Sequence, residues 1–568
     1  LKKISRLSLL ILVVVVVVVA IAYIVVNGNN EKVSNMTNAE RGDLVEQNKA
    51  VDTEGLVVSV LEDGIEEQEV LEESYLEILE NEAYTEENMY VVKDPYENSP
   101  LTALALFQTE EPSKITVTVP GSTDATTITH TYDTYETKHE IPILGLLPDS
   151  INEVKVSVET ETGKVTEQMV SIETEVLPDY IGTVDIEEAD TEQMELGDSS
   201  LTFFIASTKY SYAFDSNGDV RWYNTRYNSH VLHELENGHI LYLTKEDNSS
   251  STYNELVEMD YLGKYYKAFY LNSETVIGEA GSDESTMIHH DAIELPNGNY
   301  LLTINGDSNY IEDVMVELDS ETGEIVKSID LKDLLPESFY EEYDATERDD
   351  GKIDWFHQNA VVYDESDDSI IVSSRNQDLI MKIDYTAQTF TKDQIVWILA
   401  DEEGWPEEYQ DVLIEGIGDD FKYSAGQHAP EILPDQDNQS NTIDVLLYDN
   451  NVVVTRGNEE LSDKYSRGVV YRIDENGKTA EEMWSFGEEL GEEYFTYIVG
   501  SARYMEVTGN YLIDFGYVNE DERSGIFEVN QNGEIVWHAE VSEFPEGARA
   551  YRAERLDLYN NWEYSLSN

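Results

Sequence analysis

Four of the ten histidines in this chain stand at one recurring position. Each lies seven residues ahead of an Asn or Asp that opens a turn: His230 ahead of Asn237, His290 ahead of Asn297, His357 ahead of Asp364, His428 ahead of Asp435. The residue two before the turn is apolar every time, namely Leu235, Leu295, Val362 and Leu433, and in the next unit, anchored on Thr508, the position holds Ser501. Imidazole titrates near neutral pH, so it serves as nucleophile, general acid–base or metal ligand. Two further side chains join the set. Asn359 is two residues from His357, which on a strand gives both the same face. Centring the loop Asp364–Asp368 on Ser366 sets Arg375 opposite His357 on the returning strand, and directly opposed residues share a face. Imidazoles, a carboxamide and a permanent guanidinium make an anion site. A zinc site of three histidines is conceivable, but Arg375 in the same space opposes a bound cation, so neither metal nor cofactor is expected.

A lone strand histidine is more often structural than chemical. The convergence of Arg375 and Asn359 on the histidine register is what favours function. His230, whose unit borders a domain junction, is the weakest member; His289 should face away from His290. Asp291 either orients a histidine or makes a turn contact. His233, His239 and His538 have fold roles only.

The elements that must hold these residues repeat. HELENGHILYL, IELPNGNYLLTI, VVYDESDDSIIVSS and VTGNYLIDFG read as two strands around an Asn/Asp/Gly turn. VEMDYLGKYYKAFYL, VELDSETGEIVKSIDL, YRIDENGKTAEEMWSF and FEVNQNGEIVWHAEV read as outer hairpins. Units of four short strands at this spacing are those of a β-propeller, with about six units between Ser199 and the C-terminus and the first strand of each lining a central channel. The fold expected is therefore all-β: a six-bladed β-propeller over 185–568, preceded by a small β-sandwich over 93–184. The sandwich is read from SKITVTVPGSTDATTITHTYD and INEVKVSVETETGKVTEQMVSIETEV. Residues 30–92, acidic with Leu and Val at helical spacing, read as a partly helical stalk.

Residues 1–29 carry a basic head and an uncharged run from Leu9 to Val26, about 27 Å of helix and close to a bilayer core. They read as a signal peptide or signal-anchor helix, with the rest extracytoplasmic, anchored or secreted. No cysteine is present, so neither disulfides nor a lipid-modified cysteine can form. The net charge of −83 excludes a phosphate-neutralising nucleic-acid binder and fits a chain kept soluble in high salt or at high pH.

At these residues the chain resembles a known family. MIHHDAIELPNGNYLL, DWFHQNAVVYDESDDSIIVSSRNQDLIMKID, SAGQHAPEIL, VLLYDNN and YRAERLDLY are similar to the bacterial aryl-sulfate sulfotransferases, and DPYENSPLTALALF and HEIPILGLLPDSINEV resemble that family's N-terminal domain. The resemblance covers residues from about 90 to the end. It implies a six-bladed propeller that moves a sulfuryl group from an aryl sulfate to a phenol without a nucleotide donor. It also implies transient sulfation of His428, with His290, His357, Asn359 and Arg375 binding and polarising the sulfuryl group. Gln358 would be an outward-pointing spacer. One of His290 and His357 must protonate the departing phenolate. The partners implied are an aryl sulfate donor and a phenol acceptor, with homodimer formation left open. An aryl sulfatase using water, and a non-catalytic surface-anchored propeller, are the rival readings.

Overall fold

The computed structural model describes residues 56–566 apart from 62, 82, 198, 246–252, 274–287, 306–308, 344–351, 420, 455–459, 462–463, 520–522 and 546. The apolar run Leu9–Val26 lies outside these residues. Among the described residues no helix is long and apolar enough to cross a membrane.

The turn residues of the sequence register explain why the strands break where they do. Asn237 Oδ1 accepts the His239 N–H (2.9 Å), Asn297 Oδ1 that of Asn299 (3.1 Å), Asp364 Oδ1 that of Ser366 (2.9 Å) and Asp435 Oδ1 that of Asp437 (3.0 Å). Each side chain mimics a backbone turn and reverses the chain at a fixed distance from the histidine before it.

The strands so delimited form six sheets of four or five members, antiparallel except for the short strand Glu415–Gly416. Their first strands, in chain order, are Leu232–Glu234, Ile288–Glu294, Gln358–Asp364, His428–Ile432, Ser501–Tyr504 and Ala550–Asp557. We number the sheets 1 to 6 accordingly. Sheet 6 joins the two ends of this region: Ala550–Asp557 pairs with Ser200–Ala206, and Tyr212–Phe214 and Val220–Tyr223 follow. Sheet 5 takes its outermost strand, Thr183–Ala189, from before the repeats. All six first strands line one cavity of about 250 Å³, contributing for example His233, Asp291, Val361, Glu431, Arg503 and Arg552. The strands behind them are apolar on both faces, as Ile240–Thr244, Tyr300–Ile304 and Ser369–Ser374 illustrate. The core therefore lies between sheets, and the polar side chains collect at the centre.

Ahead of this region, Tyr90–Lys93, Thr102–Val119, Ile128–Leu144, Ile151–Thr160 and Val165–Glu173 form one five-stranded sheet. Its long strand Thr102–Val119 changes register between Gln108 and Ser113: it pairs with Tyr90–Lys93 before the break and with Ile151–Thr160 after it. Residues 56–79, read from sequence as part of a stalk, lie against the folded body. Leu56–Val60 is the outer strand of sheet 1, and the helix Asp63–Leu79 buries Tyr75 and Leu79 in the core of the N-terminal sheet. Glu72 on that helix pairs with the buried Lys264 (2.9 Å).

Candidate active site

The segment around His428 is held by contacts on three sides. Gly426 has φ +62°, a left-handed conformation, and a Cβ there would lie 2.8 Å from the Val452 carbonyl; glycine meets both demands. Its N–H donates to Asp378 Oδ1 (2.8 Å). Gln427 is fully buried, and its Nε2 donates to the carbonyls of Ser374 (2.9 Å) and Leu379 (2.8 Å), tying sheet 4 to sheet 3. The strand shifts register between His428 and Glu431, and Pro430 falls within that irregularity, where its missing N–H is no loss.

His428 Nδ1 is 2.7 Å from Asn450 Oδ1. Asn450 Nδ2 donates to the carbonyls of Thr496 (3.1 Å) and Val499 (2.9 Å), so Oδ1 is the atom that faces the imidazole. An amide oxygen only accepts, so Nδ1 of His428 carries the proton and the lone pair resides on Nε2. Burial, and then the nearby Arg375 guanidinium, push the His428 pKa well below the usual histidine range. The ring is therefore neutral at neutral pH.

His230, His290 and His357 occupy equivalent backbone positions at the starts of sheets 1 to 3, with φ of 62°, 59° and 52°. Left-handed backbone is uncommon for a residue with a side chain and costs of order 1–3 kcal/mol, a strain that tends to collect at functional sites. In sheet 4 the same conformation falls one residue later, on Ala429 (φ 52°). The rings of His230, His290 and His357 follow one another at centroid separations of 4.6 Å. Tyr551, on the first strand of sheet 6, packs against His230 (4.4 Å) and His428 (6.3 Å).

Two carboxylates enter this cluster. His357 Nδ1 lies 2.6 Å from Asp354 Oδ2 and 2.7 Å from Glu312 Oε2. Burial opposes charging of His357, but the Asp354 and Glu312 carboxylates outweigh it and raise the pKa to about 10. His357 is therefore an imidazolium at neutral pH, with Nε2–H free of described partners. His290 Nε2 lies 3.2 Å from the same Glu312 oxygen and its Nδ1 is buried without a partner. Burial, only partly offset by Glu312, lowers the His290 pKa. Glu312 itself stays ionised: burial would protonate it, but His357 and His290 hold its pKa well below the usual carboxylate range.

Arg375 meets its partner strand as the spacing required, its N–H donating to the His357 carbonyl (3.1 Å). Only 9% of the residue is exposed, its Nε has no partner, and no carboxylate pairs with it among the described residues. Its guanidinium donates to Asn376 Oδ1 (2.9 Å) and lies over the Tyr497 ring (5.3 Å). A buried guanidinium without a counter-ion is costly unless an anion completes it.

Several sequence expectations change here. A register shift between Gln358 and Ala360, together with the left-handed φ of His357, breaks the alternation that put Asn359 on the face of His357. Asn359 still reaches the centre, but Nδ2 donates to the Gln427 carbonyl (2.6 Å) and only Oδ1 is unpartnered. It braces the residue before His428 rather than offering a free donor. Gln358 does not point outward: it is fully buried and donates to the Val314 carbonyl of sheet 2. His289 is buried with both ring nitrogens unpartnered, its ring 5.2 Å from that of His290. Asp291 orients no histidine; it pairs with Arg552 (2.9 Å) and accepts the Val361 N–H (3.0 Å). His233 lines the central cavity, and Ser501 Oγ accepts the Ala553 N–H of the closing strand (3.0 Å).

Glu312, Asp354, Asn450 and Tyr551 escaped the sequence reading. Asp354 had a signal, three residues ahead of His357; the other three come from distant turns and strands. His289–His290–Glu312 and Glu312–Asp354–His357 each bring ligand atoms within 4.8 Å of one another, a spacing that could hold a metal ion. The arrangement suits an anionic group bearing a leaving oxygen: guanidinium and imidazolium for its charge, a neutral imidazole for its central atom.

Comparison with known proteins agrees with this chemistry. Residues 157–552 match the family model described as arylsulfotransferase (ASST), and residues 90–175 match the arylsulfotransferase Ig-like domain. The chain is similar to the arylsulfate sulfotransferase AssT of Lelliottia amnigena, 22% identical with 78% of this chain and 86% of that protein covered. It is also similar to the AssT of Escherichia coli O6:H1, 24% identical with 75% and 84% covered. Among solved structures, the Pseudomonas aeruginosa periplasmic gluconolactonase PpgL matches over 79% of this chain and 100% of its own, at 9% identity and a TM-score of 0.30, too low to carry any argument. With the family model matching residues 157–552, well over half of its length, this chain belongs to the arylsulfotransferase family.

Proposed function

We propose that this transferase moves a sulfuryl group from a phenolic sulfate ester to an acceptor phenol in two half-reactions through a sulfohistidine on His428, with no nucleotide donor. The observation that carries the reading is a neutral His428, with the lone pair on Nε2, near Arg375, whose buried charge has no carboxylate partner among the described residues. The six sheets are taken as blades of one propeller around the shared cavity, with the reaction centre at the end where the histidines start their strands. Residues 93–184 are taken as its N-terminal domain, and the protein is taken to work outside the cytoplasm.

In the first half-reaction Nε2 of His428 attacks sulfur in line with the aryl oxygen. Arg375 neutralises the non-bridging oxygens, where one preorganised donor is worth about 10²–10³ in rate. As in phosphoryl transfer, a loose transition state leaves catalysis mainly to positioning and charge. The S–O bond breaks and its electron pair stays on the aryl oxygen, which takes the Nε2 proton of His357. A pKa of about 10 for His357 is close to that of a phenol, and such matching favours proton transfer in both directions. In the second half-reaction the now neutral His357 removes the acceptor's proton as its oxygen attacks sulfur and the S–N bond breaks. The restriction to aryl esters follows from the leaving group, since a phenolate departs far more readily than an alkoxide.

The test is steady-state kinetics with 4-nitrophenyl sulfate and added phenol. Parallel double-reciprocal lines and phenol-stimulated nitrophenol release support the two-step transfer. Release that phenol leaves unchanged shows that water is the acceptor, and intersecting lines show direct transfer without a sulfated enzyme.

A further inference from the structure

We infer that Asn450 is a positioning residue that keeps Nδ1 of His428 protonated through both half-reactions, so that the sulfuryl group rides on an imidazolium rather than on a neutral imidazole. The inference rests on the proposed sulfohistidine and goes beyond it in stating which form of the intermediate the protein holds and which residue holds it.

The geometry leaves Asn450 no freedom to turn. Its amide nitrogen serves three acceptors, the Thr496 carbonyl (3.1 Å), Thr496 Oγ1 (3.2 Å) and the Val499 carbonyl (2.9 Å). Exchanging oxygen and nitrogen would set a carbonyl-type oxygen against two backbone carbonyls. The frame around it is equally fixed. Thr496 Oγ1 bonds Tyr448 Oη (2.6 Å), Thr496 N–H donates to Ser466 Oγ (2.9 Å), and Ser466 Oγ donates to the Asn450 carbonyl (3.2 Å). Asn450, Thr496 and Tyr448 are fully buried, so no water competes for Oδ1.

The chemistry follows from that fixed acceptor. Attack forms an Nε2–S bond and breaks the S–O(aryl) bond, whose electron pair leaves with the aryl oxygen. The imidazole keeps its Nδ1 proton, so the ring becomes cationic beside an anionic sulfuryl group, neutral in sum. A cationic ring is a far better leaving group than the neutral imidazole left by losing the Nδ1 proton. The second half-reaction expels the ring as the neutral Nδ1–H tautomer, which is the starting state. A carboxylate at this position would favour a charged imidazole before the donor binds and would remove the nucleophile. A carboxamide accepts the proton's hydrogen bond without adding charge.

The experiment compares wild type, Asn450→Asp and Asn450→Ala, each checked for a cooperative thermal transition, in kcat/KM for 4-nitrophenyl sulfate against pH. Alkaline quenching without acceptor then traps the sulfohistidine for isomer analysis. Asn450→Asp should move the acidic limb up by about 1–3 pH units, the shift an opposite charge at contact produces. Asn450→Ala should lose about 10²-fold or more at every pH, as loss of a tautomer-fixing partner does in other histidine systems. The wild-type label should sit on Nε2. A label on Nδ1, or an Asn450→Asp profile that superimposes on wild type, overturns the inference while leaving the sulfohistidine standing. No trapped sulfohistidine at all in wild type overturns the proposed function and this inference with it. If the variants do not fold, the wild-type isomer alone decides.

Discussion

Asp354→Asn tests the electrostatics of the site with little change of shape. His357 Nδ1 is flanked by Asp354 (2.6 Å) and Glu312 (2.7 Å), and together they raise its pKa to about 10 against the pull of burial. The ordinary histidine value is about 6.5, and one carboxylate at contact shifts a neighbour by about 1–3 units. Removing one of two should therefore bring His357 down to about 8, a loss of roughly 2.7 kcal/mol in preference for the charged form. The group must be protonated to release the phenolate, so activity is lost as pH rises through its pKa. The assay is kcat/KM for the sulfate donor between pH 6 and 11, which in a two-step transfer reports the first half-reaction and is blind to the acceptor's own titration. Wild type should decline near pH 10 and Asp354→Asn near pH 8, with the two curves within a few-fold of each other below pH 7. An alkaline limb that stays near 10 in the variant, or a uniform loss at all pH values, refutes the assignment of His357 as the proton donor.

Other consequences can be checked alongside. Arg375→Ala should cut kcat/KM for the donor by about 10²–10³ while leaving the thermal midpoint unchanged or higher, because the guanidinium is buried with no carboxylate partner among the described residues; a retained rate contradicts its role. The raised pKa of His357 contributes stability that is fully present below about pH 6.5 and disappears as pH rises through about 10. Integrated, that is at most about 5 kcal/mol, so the urea midpoint should fall between pH 7 and 10.5, and less so in Asp354→Asn. Prolonged chelation should leave turnover intact, whereas micromolar zinc should inhibit through His289, His290 and Glu312, and His289→Ala should relieve that inhibition.

What could be read ahead of the structure was whatever local chemistry encodes. The Asx turns at Asn237, Asn297, Asp364 and Asp435 fix where strands reverse, so hairpins and the histidine register were legible. Arg375 was legible for the same reason, since a hairpin count placed it across from His357. The face assignments failed for one physical reason. Left-handed residues at His230, His290, His357 and Ala429 interrupt the two-residue alternation, so face assignments for Asn359 and Gln358 based on that period could not hold. Glu312 and Tyr551 come from other sheets and Asn450 from the end of the strand paired with that of His428, and neither spacing nor composition marks one acidic residue among 118 or one tyrosine among 37. The short strand Leu56–Val60 was hidden by acidic neighbours that give its segment the texture of a solvated helix.

The central claim is that His428 carries the sulfuryl group between donor and acceptor. The most direct test is the intact mass of the enzyme within seconds of mixing with excess 4-nitrophenyl sulfate and no phenol, quenched in alkali and mapped to a peptide. One added sulfuryl group per chain should appear on the peptide containing His428, discharged by phenol and absent from His428→Asn. An unmodified enzyme that still turns over the donor, or a label on any other residue, would contradict it.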